Sequence, residues 1–169
     1  MSRDPITTYR YGAPRSRDEL LRIGVTRHPP RGVPREDRQR LGYWDVWLPL
    51  LAPSAGLLAS YRKGEIPFEK LAQRYRAEMR QPESRQVIGL LAALLPFQTI
   101  SLGCFCEDET RCHRTILREL ILAEAKTRAA TLFAPTAPEE PREHFASPVC
   151  YAFEERENPA PPEARPEQE

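Results

Sequence analysis

Apolar positions along the chain come in two alternating kinds, short continuous runs and stripes at helical spacing, and that alternation predicts an α/β fold. Leu20-Leu21-Arg22-Ile23-Gly24-Val25-Thr26-Arg27 is apolar and β-branched, as a strand over 21–27 requires. Gly42-Tyr43-Trp44-Asp45-Val46-Trp47-Leu48 predicts a strand over 43–48, with Tyr43, Asp45 and Trp47 on one face and Trp44, Val46 and Leu48 on the other. Gln98-Thr99-Ile100-Ser101-Leu102-Gly103 predicts a short buried strand, and Tyr9-Arg10-Tyr11-Gly12 suits another that ends at its glycine. Three helices are expected between the second and third runs. Pro53-Ser54 opens the first, Leu57, Leu58 and Tyr61 line it, and Gly64 stops it. Phe68, Leu71, Ala72, Tyr75 and Met79 stripe the second. The third runs from Glu83 to Leu95 and ends at Pro96. Ile116, Leu117, Leu120, Ile121 and Ala125 predict a last helix from about Cys112 to Arg128, with Thr110 as its N-cap. These elements add up to a single three-layer α/β domain over residues 1–130, with a small, mostly parallel sheet flanked by helices.

Composition changes this picture at the C-terminal end. Residues 131–169 hold eight prolines and nine acids, which predicts a Pro/Glu-rich tail, partly docked through its apolar segment at 145–153. A chain of 169 residues can bury a full core. No apolar run reaches membrane-spanning length, and Met1-Ser2-Arg3-Asp4-Pro5 starts no apolar leader, so a cytoplasmic protein without a membrane partner is expected. Four cysteines in that setting point to thiols or a metal rather than to a disulfide framework.

The candidate chemistry is concentrated in Ser101-Leu102-Gly103-Cys104-Phe105-Cys106-Glu107-Asp108-Glu109-Thr110-Arg111-Cys112-His113-Arg114. A strand-to-helix turn is where an open α/β sheet places its site. Backbone donors at the helix start, with Arg111 and Arg114, favour a thiolate, while Glu107, Asp108 and Glu109 oppose it. Cys106 and Cys112 are accordingly candidate catalytic thiols, with His113 as acid–base partner and Arg114 holding ligand charge. The stiff loop His28-Pro29-Pro30-Arg31-Gly32-Val33-Pro34-Arg35 displays Arg27 and Arg31 as an anion clamp, and Asp45 is expected to pair with a loop arginine.

Two other readings use the same residues. Cys104, Cys106, Cys112 and His113 form a Cys-x-Cys-x5-Cys-His pattern whose ligand types suit zinc, and suit an iron–sulfur cluster less well. Cys104, at a strand end, also fits the role of a small buried hydrophobe. Residues 1–42 carry ten arginines against five acids, a net +5, and contain Tyr9 and Tyr11, with Tyr43 and Trp44 just beyond. That basic, aromatic stretch would suit a nucleic-acid-binding module, although residues 131–169, with three arginines against nine acids, oppose one.

Arg27-His28-Pro29-Pro30-Arg31-Gly32-Val33, Trp47-Leu48-Pro49-Leu50-Leu51-Ala52-Pro53-Ser54 and Arg74-Tyr75-Arg76-Ala77-Glu78 together resemble the domain-of-unknown-function family 488, including its YeaO-like branch. Cys106 followed by Cys112-His113-Arg114 is similar to that family's strand-end cysteine and Cys-His-Arg at a helix start. The resemblance covers roughly residues 20–125 and implies a single α/β domain without specifying an activity. Many members show one cysteine before the Cys-His-Arg, whereas this chain has both Cys104 and Cys106. The functional expectation is a small α/β protein that binds or acts on an anionic, nucleotide-like ligand at an Arg/Cys/His site. Zinc binding and nucleic-acid binding are the alternatives.

Overall fold

The computed structural model describes residues 4–132. Its frame is a four-stranded, all-parallel sheet in the order β1-β4-β2-β3, made of Ile6–Arg10 (β1), Leu21–Gly24 (β2), Val46–Trp47 (β3) and Ile100–Cys104 (β4). The helices are Asp37–Arg40 (α1), Ala55–Arg62 (α2), Phe68–Glu78 (α3), Pro82–Leu94 (α4) and His113–Leu132 (α5). The α/β class expected from the apolar pattern is therefore present.

Alternation along the strands explains the two cores. Ile6, Ile23, Val25, Ile100 and Leu102 face a large apolar core shared with Leu57, Leu71, Tyr75, Ile88, Leu91, Leu117 and Ile121 of α2 to α5. Buried side chains of this size contribute about 1.5–3 kcal/mol each, so this face dominates the stability of the sheet. The opposite face is covered by aromatic residues, with Tyr9, Tyr11 and Trp44 buried and Tyr43 and Trp47 packed against them. The flanking layers are thus unequal: long helices on one side, and on the other a loop with the one-turn α1, whose Arg38 lies over the Trp44 ring.

Glycines make the aromatic layer possible. A Cβ on Gly103 would lie 2.4 Å from Tyr9 and 2.5 Å from Tyr11 ring atoms. Gly103→Ala is expected to lose about 1–3 kcal/mol through overpacking, read as a lower urea midpoint with an unchanged m-value. Gly64, at φ 74°, ends α2 in the left-handed conformation expected of it.

The 43–48 segment departs from expectation. Only Val46 and Trp47 pair with β2, so strand alternation does not govern the residues before them. Gly42 turns at φ 73°, and Trp44 folds back to stack on Trp47, with ring centroids 5.9 Å apart and planes at 20°. Both tryptophans therefore join one cluster rather than opposite faces. The apolar segment expected at 145–153 lies outside the described residues, and α5 itself continues to Leu132.

Candidate functional site

All four strands run the same way, so their C-terminal ends meet along one edge of the sheet. β4 lies between β1 and β2 and ends at Cys104, held by the Tyr11 N–H donating to the Cys104 carbonyl (3.0 Å) and the Val25 N–H donating to the Gly103 carbonyl (3.0 Å). Eight residues separate Cys104 from His113, the first residue of α5, and Cys112 stands immediately before that helix. The strand-to-helix turn is where the apolar pattern put it. The cap is not: the Thr110 N–H and hydroxyl both donate to the Asp108 carboxylate, at 2.9 and 2.6 Å, closing a local turn ahead of the helix.

This turn gathers the thiols. The sulfurs of Cys104, Cys106 and Cys112 all lie within 4.8 Å of one another, and the Cys104 Sγ–H donates to Cys106 Sγ at 3.6 Å. Cys104 and Cys112 are buried, and Cys106 is exposed. His113 Nε2 is 2.7 Å from the Val25 carbonyl, which only accepts, so the ring proton sits on Nε2 and Nδ1 keeps its lone pair. That Nδ1 faces Cys112 Sγ at 3.9 Å. His113 therefore faces Cys112 and stands outside the group of three mutually close ligand atoms.

Electrostatics divide the thiols into one anion and two donors. Hydrogen bonds from the Cys104 and Cys112 thiols pull the Cys106 pKa well below its ordinary value, and the nearby Arg114 guanidinium acts in the same direction. Holding the proton in its bond to Cys106 pushes Cys104 up, and its hydrogen bonds to the other two thiols together with burial push Cys112 up. The carboxylates that could oppose this are occupied elsewhere. Glu107 pairs with Arg10 at 2.7 Å, and Glu109 accepts from the Thr8 hydroxyl, both on β1.

Burial lowers the His113 pKa below 6.5, with the bond to the Val25 carbonyl working against that shift. The unfolded chain then takes up a proton at a higher pH than the folded one. The stability this neutral ring contributes is complete above about pH 6.5 and declines as pH falls toward the folded-state pKa. Urea midpoints taken at about pH 7.5 and 5.5 should differ in the wild type and converge in His113→Gln.

Cys104, Cys106, Phe105 and His113 line a cleft of ≈ 880 Å³, closed on its other side by residues 26–31 and by Pro53, Leu58 and Arg62. Arg27 and Arg31 both reach this cleft, as the clamp reading expects, but in different states. The Arg27 guanidinium donates to the Pro53 (3.1 Å) and Ala52 (2.6 Å) carbonyls and so anchors the loop. Arg31 is exposed and has no side-chain partner among the described residues. Arg62, from the last turn of α2, is in the same position and carried no sequence signal.

Two expected ligand-binding residues sit elsewhere. Asp45 pairs with Arg15 of the β1–β2 connection, not with an arginine of the 27–35 loop, and accepts the Arg22 N–H at 2.8 Å. Burial pushes its carboxyl up, and these bonds more than reverse that, leaving it below the ordinary range. The reason is topological: Asp45 lies level with Arg22 on β2, whereas the 27–35 loop leaves from the far end of that strand. Arg114 is 3% exposed and does not line the cleft; its Nη1 donates to the Tyr9 carbonyl at 2.8 Å, tying β1 to the turn. Tyr9, Tyr11 and Trp44 are buried in the aromatic layer and present no free face for stacking on bases. A second hollow, between α3, α4 and α5, is lined by Arg76, Arg80, Arg85 and Arg128 but holds no thiol or imidazole.

With the thiol turn, the Cys-His-Arg at the start of α5 and the loop after β2 in place, comparison with known families is decisive. The family model DUF488-N3a, described as the active DUF488-N3 subclade, matches residues 6–125. The chain belongs to the DUF488 family. The match runs from β1 into α5 and so contains every element of this DUF488 domain's cleft. No curated protein and no solved structure matches the chain. Among the described residues, no helix is long and apolar enough to cross a membrane.

Proposed function

We propose that this DUF488 domain binds a small anionic ligand, nucleotide-like or carboxylate-bearing, in the cleft at the strand ends and presents it to the Cys106 thiolate. One observation carries this reading: the exposed thiol of the cluster opens into the same cleft as Arg31 and Arg62, cations with no partner among the described residues. Guanidinium forks match phosphate and carboxylate, and a cleft lined by one sign of charge concentrates ligands of the other. Arg27 shapes the loop through its bonds to Ala52 and Pro53, and Arg114 and His113 act through the position and charge of the thiols. The word "active" in the description of the matching subclade fits a site of this kind. The test is protection of Cys106 from alkylation by inorganic phosphate and by nucleotides. Protection that Arg31→Ala and Arg62→Ala abolish supports the reading, and labelling indifferent to every anion contradicts it.

A second reading is favoured by the thiol spacing. Sulfurs at about 2.3 Å from a tetrahedral zinc lie about 3.8 Å apart, close to the 3.6 Å between Cys104 and Cys106. Cys104, Cys106 and Cys112 would then supply three ligands, and a zinc held by them would serve to polarise a bound ligand. Metal analysis of protein purified without a metal-charged resin decides between the two. One equivalent of zinc, lost in Cys106→Ser, selects the metal reading.

A further inference from the structure

The thiol cluster has a feature that anion binding does not need: a second, buried sulfur within contact distance of the exposed one. Cys106 is the exposed one of the three, and the buried Cys104 Sγ lies 3.6 Å from it with its S–H directed at it. Besides donating its hydrogen bond, a buried thiol at that distance is within reach to attack Cys106 Sγ once that sulfur is joined to another. Such an attack is what releases a thiol from a mixed disulfide. We propose that the site catalyses thiol–disulfide exchange on low-molecular-weight disulfides that carry carboxylates, with Cys106 as the attacking cysteine and Cys104 as the resolving one. This deepens the anionic-ligand reading above and rests on it for the choice of substrate.

The steps balance without a cofactor. The Cys106 thiolate attacks one sulfur of the substrate disulfide, forming a bond to it and expelling the other half as a thiolate. Cys104, giving up its proton, then attacks Cys106 Sγ, and the second half of the substrate leaves as a thiol or thiolate. The substrate is reduced by two electrons, and the Cys104–Cys106 pair is oxidised to a disulfide. A dithiol reductant resets it through the same chemistry in reverse. To form the bond, the sulfurs must close from 3.6 Å to about 2.05 Å, a movement that the loop from Phe105 onward is placed to absorb because Cys106 lies beyond the last residue of β4. Arg31 and Arg62 supply the selectivity, since they line the cleft into which Cys106 opens and carry no partner among the described residues.

The test uses the full chain, oxidised glutathione as the carboxylate-bearing disulfide and hydroxyethyl disulfide as the neutral one, followed by intact-mass and peptide mapping. The wild type should end with a Cys104–Cys106 disulfide and no adduct. Cys104→Ser should instead accumulate a mixed disulfide at Cys106, and Cys112→Ser should still form the internal disulfide. Replacing Arg31 and Arg62 with alanine should slow reaction with oxidised glutathione about tenfold while leaving the neutral disulfide unaffected. Adduct on Cys112, or no stable adduct in Cys104→Ser, overturns the assignment of roles. Equal rates for the two disulfides, indifferent to the arginines, overturn the substrate class and the anion reading with it. Absence of exchange with either disulfide, in protein whose Cys106 phosphate still protects from alkylation, overturns exchange alone and leaves the anion reading standing.

Discussion

Arg22→Ala should cost about 3–5 kcal/mol of folding stability, the largest loss expected from any single change argued for this domain. Arg22 is 1% exposed, yet every edge of its guanidinium is occupied. Nη1 donates to the Ala13 and Gly42 carbonyls, both at 2.9 Å, Nη2 donates to the Pro14 carbonyl at 2.8 Å, and Nε donates to Glu19 at 2.8 Å. Its Cζ also lies 4.3 Å from the centre of the Tyr9 ring. One side chain thus fixes the approach to β2, the turn before Trp44 and the aromatic layer. Alanine would leave three carbonyls and a carboxylate without the donor they share and empty the space of a fully buried side chain, a situation in which loss of one partner is costly. Arg22→Lys should rescue little, because a single ammonium cannot replace a planar fork aimed at four acceptors. Urea unfolding measures both. A loss below about 1 kcal/mol for Arg22→Ala would mean that these bonds are replaced by water at little cost.

Arg22 also shows where the sequence could be read and where it could not. As part of Leu20–Arg27 it read as one polar residue in an apolar strand, and the strand is there; what it binds is set by residues 13, 14 and 42, which no local pattern connects to it. The helices were legible because stripes such as Leu71, Tyr75 and Met79 repeat at the helical period, and those residues are buried. β4 was legible as a continuous apolar run, and all five of its residues are buried. α1 was not, because its four residues bury nothing and so carry no stripe. The 43–48 segment exceeds what alternation can specify: alternating aromatic residues suit a strand, but Gly42 at φ 73° and the stacking of Trp44 on Trp47 place them in one layer.

The site followed the same division. The turn, its thiols and the entry into α5 are local features, and local spacing found them. The partner of Asp45, the contribution of Arg62 and the fates of Glu107 and Glu109 are long-range. Nothing near residue 107 in sequence announces that Arg10 will hold its carboxylate, 97 positions away in the chain. That pairing matters chemically, because it turns the opposing charge toward β1 and away from the cluster.

The second large effect concerns the thiols. If the Cys104 and Cys112 thiols hold Cys106 as an anion, Cys104→Ala and Cys112→Ala should each raise its pKa toward the ordinary value of 9.0 and slow its alkylation at neutral pH by roughly tenfold or more. Arg114→Leu should do so less, since its charge is the smaller influence. Its fold-level cost, from the lost bond to the Tyr9 carbonyl, is separable by a parallel urea titration.

Alkylation of the metal-free native protein across pH, read cysteine by cysteine, tests the central claim of a single exposed thiolate most directly. Because the Cys106 pKa is depressed, its thiolate persists well below pH 9, and its labelling rate should stay level from about pH 9 down to about pH 6. An unperturbed thiol would slow about tenfold for each pH unit below its pKa. Cys104 and Cys112, buried and raised, should stay unlabelled throughout. A Cys106 rate that falls tenfold per unit below pH 9, or labelling of Cys112 ahead of Cys106, would contradict the account.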